Sequence, residues 1–543
     1  MGHAIGRFLT TLLLAALCNT VLADLATDAG PAPGPGLHDI LNQLASRSFD
    51  DKEAAIRRLA EQDHPRVVPL LTALMNRDLV QHRDSGAIVL GRKNSDGWQL
   101  LDPVSEAEQQ QVGSRDARPV VINNRLRTVI NNQLALRDLV SPDSEQRYQA
   151  AGQLIGNADP EMLSALAARR AEETVARVQD RIDVALNIAT LDGDDFAARI
   201  NAIEALAASL HPAAKNALRD RVAASDSPAE VRAAEKALAR IEARIDRYQT
   251  ADTLFFGLSL GSVLLLAAIG LAITFGVMGV INMAHGEMIM LGAYTTWGMQ
   301  QLLPGQPGLA LILSIPAGFL VAATAGIIIE RSVIQFLKGR PLETLLATFG
   351  ISLILQQLVR TVISPQNRTV VTPDWMSGSL VINDALSLTL NRLYVLAFAL
   401  IVFAALMMIM RKTRLGLEVR AVTQNRAMAR SMGIRATRGD SMTFALGSGV
   451  AGLAGVALSQ LTNVGPNLGQ NYIIDSFMVV VFGGVGNLWG TLIAGLSLGT
   501  INQLLEPWAG AVLAKIIVLV FIILFIQKRP KGLFPQKGRA AEG

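Results

Sequence analysis

Residues 271–294, LAITFGVMGVINMAHGEMIMLGAY, give the strongest indication of the fold of this chain. Two apolar runs flank three polar residues, Asn282, His285 and Glu287, with Gly286 among them. Ionisable side chains at membrane depth cost about 2.5 to 3.5 kcal/mol each and usually face protein or a cavity. The pattern predicts a broken membrane helix whose polar groups line or gate a solute path. The alternative is a turn at the cytoplasmic edge of the membrane, with these side chains satisfied by neighbouring backbone.

Apolar runs of this kind fill the chain from Thr253 onward. A full span needs roughly 20 apolar residues, so we expect eight or nine passes, the seventh of them too short to cross. The runs lie at 253–277, 284–303, 309–329, 343–363, 393–410, 441–462, 473–485, 488–505 and 509–526. The sequence therefore predicts a polytopic α-helical membrane domain over residues 251–535, followed by a cytoplasmic tail at 536–543.

The chain ahead of residue 251 has a different composition. It contains 29 of the 49 Lys and Arg residues and 34 of the 45 Asp and Glu residues. Its alanine-rich segments carry apolar residues at helical spacing, for example Val231, Ala234, Leu238 and Ile241. Three helix pairs of roughly 45 residues predict a HEAT-like stack over residues 24–250, with one or two short strands inserted between residues 92 and 132. The expected fold class is all-α.

Residues 1–23 have the features of a secretory signal peptide. Arg7 precedes an apolar core at residues 8–17, and Ala23 ends a small-residue cleavage site. The single cysteine, Cys18, would leave with this segment. The mature chain would then hold no thiol for a disulfide, a metal site or a nucleophile, and residues 24–250 would be exported to the periplasm.

Basic residues give the orientation of the membrane domain. Eight Lys and Arg residues lie between residues 411 and 438, against one acidic residue, Glu418. A second basic group follows residue 527, whereas residues 364–391 hold two acids and one base. By the positive-inside rule the basic segments are cytoplasmic. An exported N-terminus with a cytoplasmic C-terminus requires an odd number of passes, which favours nine.

The basic connection is itself amphipathic. Leu417, Ala421, Met428 and Met432 fall within about 60° of one helical face, and Gly433 ends the helix. This pattern predicts a helix held at the cytoplasmic surface. An ordinary basic loop lying on anionic lipid is the alternative.

A glycine-rich segment contains Gly484 and Gly486 beside Asn487. Glycine at such positions permits either close helix packing or a break in a spanning helix. No GxxxxGK[ST] motif occurs, so any energy from ATP must come from a partner. The six histidines are scattered without zinc-binding spacing, and we expect neither a metal nor a cofactor. The small net charge averages two regions of opposite sign and gives no reason to expect nucleic acid.

Four stretches in order resemble the permease subunits of branched-chain amino acid type ABC importers. They are residues 271–294, LETLLATFGISLILQ (342–356), RLGLEVRAVTQNRAMARSMGI (414–434) and VFGGVGNLWGTLIAG (481–495). The resemblance covers residues 251–535. It implies a non-catalytic subunit whose coupling helix, at residues 414–434, docks into an ATPase. The implied partners are a second permease subunit, two ATP-binding subunits and a periplasmic solute-binding protein, with the membrane lipid around them.

Within that family, a signal peptide followed by a long helical domain is similar to the urea-importer permease subunit. We therefore expect urea as the solute, with short-chain amides or branched-chain amino acids as alternatives. A periplasmic sensor or scaffold that is merely anchored by its spans is a different class of function. It needs only one or two passes and no coupling-type helix. A passive channel is a third possibility, which the amphipathic basic segment argues against.

Overall fold

The computed structural model describes residues 36–94, 97–156 and 159–534. The predicted signal peptide and cytoplasmic tail lie outside these residues. The chain forms two compact units, Met1–Ile241 and Glu242–Gly543.

The first unit is built mainly of short helices that pack against near neighbours in sequence, with α2 on α4, α4 on α5, α5 on α7 and α7 on α8. Their bounds are α1 Gly36–Gln43, α2 Phe49–Glu61, α3 Val67–Asn76, α4 Asn124–Asp138, α5 Ser144–Gln153, α6 Pro160–Glu172, α7 Ala176–Thr190, α8 Phe196–Leu206 and α9 Pro212–Ala224. Aspartates cap several of them; Asp195, for example, accepts a hydrogen bond from the Ala197 N–H at 2.9 Å. A HEAT-like repeat for this unit stays a prediction.

A five-stranded antiparallel sheet interrupts the helices between α3 and α4. Its order is β4-β3-β2-β1-β5. The strands are β1 Leu79–His82, β2 Ile88–Asn94, β3 Gly97–Leu101, β4 Glu108–Val112 and β5 Ala117–Pro119. The expectation of an all-α chain with one or two short strands was wrong here. Apolar residues at Leu79, Val80, Ile88 and Val89 continue a strand pattern around a turn at Gly86, whose φ is 71°.

Buried ion pairs join helices of this unit. Arg147 of α5 donates two hydrogen bonds to Glu173, which follows α6, at 2.7 and 3.0 Å. This bidentate contact lowers the pKa of Glu173 to about 2. Glu230 receives hydrogen bonds from Arg221 and Arg199, and the contact with Arg221 lowers its pKa to about 2. Both carboxylates are therefore charged at neutral pH.

The second unit consists mainly of long apolar helices. A 3₁₀ turn, Ile334–Phe336, follows α12, and a second one, Asp374–Met376, precedes the hairpin of β6 Ser379–Asn383 and β7 Leu386–Thr389. The helices are α10 Pro228–Met278, which begins in the first unit, α11 His285–Leu302, α12 Pro307–Ser332, α13 Pro341–Val362, α14 Leu390–Lys412, α15 Arg414–Gln424, α16 Arg426–Ser431, α17 Ala436–Leu458, α18 Leu468–Gly483 and α19 Leu488–Lys528.

Six helices of the described chain are long and apolar enough to cross a membrane: α10, α12, α13, α14, α17 and α19. The expected second pass, α11, contains too many polar residues to qualify. The expected seventh pass, α18, has 16 residues and is too short for a full span. The last two expected passes form one element, α19, which non-helical backbone at Gly510 divides. The total of eight or nine passes stays a prediction.

Glycines bring the central helices α11 and α17 into close contact. A Cβ atom on Gly292 would lie 2.0 Å from the carbonyl oxygen of Gly452. One on Gly455 would lie 1.9 Å from the carbonyl oxygen of Ile289. Small residues let helix backbones approach in this way within membranes, where burial of apolar surface supplies little force between helices. The packed core of the second unit therefore depends on these positions.

Candidate functional site

Residues 279–284 form a non-helical connection between α10 and α11. Gly279 adopts left-handed backbone with a φ of 67°, which glycine tolerates at little cost. The side-chain oxygen of Asn282 then accepts a hydrogen bond from the Ala284 N–H at 3.0 Å. Asn282 is buried. Its amide therefore shapes the turn that starts α11.

Glu287, in the first turn of α11, lies in a buried polar cluster. Its Oε1 atom accepts hydrogen bonds from Ser352 Oγ and from Gln356 Nε2, both at 2.8 Å. The same Gln356 nitrogen lies 2.7 Å from Oε1 of Gln470, in α18. The Oε2 atom of Glu287 is buried and accepts no hydrogen bond from the described residues. One carboxylate oxygen thus remains as an acceptor for a further donor.

Ser352 and Gln356 belong to a row of polar residues that we call the polar ladder. It occupies one face of α13 and consists of Thr344, Thr348, Ser352, Gln356 and Arg360. Residues four apart share a helix face, and the first four of these are buried. The other face of α13 is apolar and exposed, with Leu346 at 70% and Ile354 at 66%. One side of this helix is thus fitted for lipid and the other for polar contacts.

The polar ladder runs along the depth of the membrane domain. Thr348 Oγ1 accepts a hydrogen bond from the Met283 N–H in the helix break, at 3.1 Å. Ser352 lies about 16 Å along α13 from its start, a distance of about half the thickness of a hydrocarbon core of about 30 Å. At the far end Arg360 donates to Asn467 at 2.6 Å, and Gln470 is exposed. Polar groups therefore connect the buried Glu287 with the surface.

His285 and Gly286 have different surroundings from Glu287. The Nε2 atom of His285 lies 3.0 Å from the carbonyl oxygen of Ala267, in α10. Gly286 packs on α18, where an added Cβ would lie 2.6 Å from the carbonyl oxygen of Gly469. His285 thus ties α11 to α10, and Gly286 allows α18 to approach. Of the predicted path residues, it is Glu287 that the structure connects to the polar ladder.

Gly484, Gly486 and Asn487 form the loop between α18 and α19. Both glycines have left-handed backbone, with φ of 103° and 78°. Asn487 caps α19 by accepting hydrogen bonds from the Trp489 and Gly490 N–H groups, each at 3.1 Å. Its Nδ2 atom donates to the Phe534 carbonyl at 3.2 Å. This loop therefore positions the start of α19 and the segment near Phe534.

The single helix expected within residues 414–434 is two helices, α15 and α16. They meet at Asn425, whose extended backbone and side-chain cap on the Met428 N–H start a new helix. Of the apolar stripe, Leu417, Met428 and Met432 are exposed, at 61%, 63% and 78%, and Ala421 is half-buried. Gly433, with a φ of 85°, follows the end of α16.

A second apolar face secures these two helices. Val422, Ala429 and Ala436 are buried together. Ala421 packs against this cluster, whereas Leu417, Met428 and Met432 remain exposed among the described residues. Large apolar side chains exposed in a group indicate a surface for a partner.

Sequence reasoning missed the polar ladder and Gln470. The signal was present, since polar residues recur at every fourth position from Thr344 to Arg360 within an apolar run.

The groups of the site are hydrogen-bond donors, acceptors and charges, suited to holding a polar solute. Among residues 36–94, 97–156 and 159–534 no three His, Cys, Asp or Glu side chains are placed to hold a metal ion.

A multi-pass helical domain with a buried polar ladder and an exposed amphipathic helix pair defines a membrane transport protein. Residues 253–526 match the family described as "Branched-chain amino acid transport system / permease component", and the chain belongs to this family. Its relatives are permease subunits, which are transport components without catalytic activity of their own. Together with the six apolar helices, this makes the chain a multi-pass protein of the inner membrane.

Curated relatives cover the second unit. The high-affinity branched-chain amino acid permease LivH of Salmonella typhimurium is 29% identical over 290 residues, which are 52% of this chain and 94% of LivH. BraD of Pseudomonas aeruginosa, with a similar description, is 28% identical over 53% of this chain and 96% of its own length. The ribose import permease RbsC of Escherichia coli is 27% identical over 51% of this chain and 84% of its own. No solved structure matches.

These relatives bear on the expected solute. Two of them are named for branched-chain amino acids and one for ribose. They therefore give the alternative solute of the sequence analysis more support than urea. The match to the family begins at residue 253, so the preceding residues lie outside it.

Proposed function

We propose that this chain is the permease subunit of an ATP-driven importer that moves a small polar solute from a periplasmic binding protein to the cytoplasm. The observation that carries the proposal is the polar ladder between Glu287 and the exposed Gln470. A carboxyl group buried at this depth is costly and usually serves function. A purely structural helix break would require the contacts of Asn282 but not a row of polar residues along α13.

Branched-chain amino acids are the first candidate solutes, because LivH and BraD are named for them. The site offers groups of both signs for a zwitterion. The Oε2 atom of Glu287 can accept a hydrogen bond from an ammonium group. On α13, Arg360 lies about two helical turns beyond Ser352, which contacts Glu287, and its guanidinium group can attract a carboxylate.

Urea is the second candidate, with short-chain amides beside it. Between Glu287 and Gln470 the ladder presents amide and hydroxyl groups, from Ser352 and Gln356. These groups donate and accept as a neutral amide requires. The long chain segment ahead of the family match is the feature on which the resemblance to the urea-importer permease subunit rests.

ATP hydrolysis by a partner subunit would be coupled to transport through α15 and α16. Leu417, Met428 and Met432 form an apolar surface that we propose as the docking site of an ATPase subunit, with Ala421 and Gly433 shaping the two helices. Two ATP-binding subunits and a second permease subunit would complete the transporter. The basic residues of this segment place it in the cytoplasm by the positive-inside rule.

The first unit would then lie in the periplasm, exported by the signal peptide at residues 1–23. We propose residues 24–250 as this periplasmic helical domain, HEAT-like in its helix pairs, with residues 251–535 as the membrane domain and nine passes in total. The odd number of passes follows from opposite locations of the two termini.

Uptake of labelled leucine and labelled urea by cells that lack this chain tests the proposal. The intact chain should restore saturable uptake of one of these solutes, which identifies it. The double variant Leu417→Asp and Met428→Asp should fail to do so, because charges on this surface oppose an apolar interface. Ser431→Asp, exposed on the same helix, is the matched control and should restore uptake. Uptake that survives the double variant would contradict ATPase docking at this surface. If cells that lack the chain take up both leucine and urea normally, both solute assignments would be wrong.

A further inference from the structure

A cavity of about 780 Å³ lies at the Arg411 end of α14, within the second unit. It is formed by the last turns of α10 and α14, by α15 and by the start of α19. This volume lies within the range of ordinary ligand pockets. The cavity is separate from the polar ladder, since it includes no residue of α13.

The cavity has an apolar wall and a basic rim. Ile273 of α10, Met407 of α14 and Leu488 and Trp489 of α19 form part of the wall. The Trp489 ring packs edge-on against Phe403, with ring centroids 5.3 Å apart, and its side chain is half exposed. Tryptophan in this position is typical of the membrane–water interface. The wall therefore suits a hydrocarbon chain.

Arg411 and Arg420 supply the basic rim. Both are exposed, and within the described chain no carboxylate forms an ion pair with either of them. None of the described residues that line the cavity is acidic. Two unpaired guanidinium groups above an apolar wall attract an anion that carries an apolar chain.

The depth of the apolar wall distinguishes a lipid from a soluble molecule as the occupant of this cavity. Ile273 lies five residues before the end of α10 and Met407 five before the end of α14, so the wall reaches about 7 Å into the membrane helices. A cytoplasmic ATPase would meet the rim at Leu417 but not this wall. A lipid of the adjacent leaflet reaches both.

We propose that this cavity binds one anionic phospholipid, with its phosphate between Arg411 and Arg420 and an acyl chain against Ile273, Met407 and Trp489. The lipid belongs to the inner leaflet, an assignment that rests on the cytoplasmic position proposed above for α15. Because α15 lines the cavity beside Leu417, the bound lipid supports the surface proposed for the ATPase. Anionic lipid would then stabilise the coupled transporter.

Native mass spectrometry of the purified transporter, with all its subunits, tests the site. Phosphatidylglycerol should be retained in preference to phosphatidylethanolamine, at one molecule per copy of this chain. The variant Arg411→Gln, Arg420→Gln should weaken this retention about thirtyfold. Arg414→Gln, Arg430→Gln removes two exposed charges from the same segment but none from the cavity, so it should retain the lipid. Equal weakening in both variants, or equal retention of the two lipids, would overturn the proposal.

Photo-crosslinking identifies the occupant directly. With p-benzoylphenylalanine in place of Met407, irradiation should yield an adduct with phospholipid. An adduct with an ATPase subunit instead would show that protein fills the cavity, and the lipid site would be wrong.

Discussion

The carboxylate of Asp440, in the first turns of α17, accepts a hydrogen bond from the guanidinium of Arg426, the first residue of α16. Asp440 is almost fully buried. It also accepts from Lys338, which follows the 3₁₀ turn after α12. One carboxylate thereby ties α16, part of the proposed ATPase surface, to α17 and to the segment between α12 and α13. A movement of α16 would therefore act directly on both.

Replacing this carboxylate should loosen α16. In Asp440→Asn the two cations lose their shared counter-charge, and breaking a buried ion pair costs about 3 to 5 kcal/mol. We expect faster hydrogen exchange across residues 426–431 and a severalfold loss of solute uptake, with the chain still inserted in the membrane. Glu343→Gln is the control, since its pair with Arg340 is exposed. Unchanged exchange in α16 would show that Asp440 does not hold this helix.

The polar ladder can be tested at one side chain. Gln356→Leu removes a hydrogen-bond donor to the Glu287 side chain, and leaving a buried polar group without its partner costs about 1 to 3 kcal/mol. We expect uptake to fall about tenfold or more. Gln357→Leu changes the next residue, which is exposed and lies about 100° around α13 from Gln356, and should leave uptake close to normal. A similar loss in both variants would mean that general damage to α13, rather than the ladder, is responsible.

Close helix packing predicts a steric effect within α11. Gly292→Ala places a methyl group against the Gly452 backbone, whereas Gly298→Ala has nothing within 4 Å. Overpacking of this kind costs about 1 to 3 kcal/mol. Thermal denaturation of the purified protein should show a lower midpoint for Gly292→Ala alone. Equal midpoints would indicate that α11 and α17 can separate without cost.

The first unit should lose stability in acid. Hydrogen bonding to Arg147 lowers the pKa of Glu173 from 4.5 to about 2. The folded state therefore binds this proton less readily than the unfolded state, so the contribution of Glu173 is complete above pH 4.5 and declines as the pH falls toward 2. Hydrogen exchange of α5 and α6, corrected for the intrinsic rate at each pH, measures the free energy of local opening.

The matched variant for this effect is Glu173→Gln, which cannot titrate. It should show a lower free energy of opening at neutral pH and a weaker dependence on pH between 4.5 and 2. Parallel pH profiles for the two proteins would assign the acid sensitivity to other groups.

The membrane character of the second unit and the family of the chain could both be predicted from the amino-acid sequence. Apolar runs of about 20 residues can be recognised in the sequence without knowledge of the fold. The thickness of the hydrocarbon core sets their length, and its low polarity excludes charged side chains. An interruption between the two apolar runs of residues 271–294 was predicted for a similar reason, and the structure has it at residues 279–284, ahead of His285 and Glu287 in α11. Glycine and polar residues between two apolar runs mark an interruption whatever the neighbouring helices are.

The grouping of the polar residues, in contrast, follows from how the helices pack. Glu287 meets Ser352 and Gln356, more than 60 positions later in the chain, while His285, two residues from Glu287, contacts α10 instead. A helix turns its residues through 100° each, so neighbours in sequence face different partners. The sheet in the first unit was underestimated for a related reason, since strand pairing depends on contacts that a local pattern does not contain.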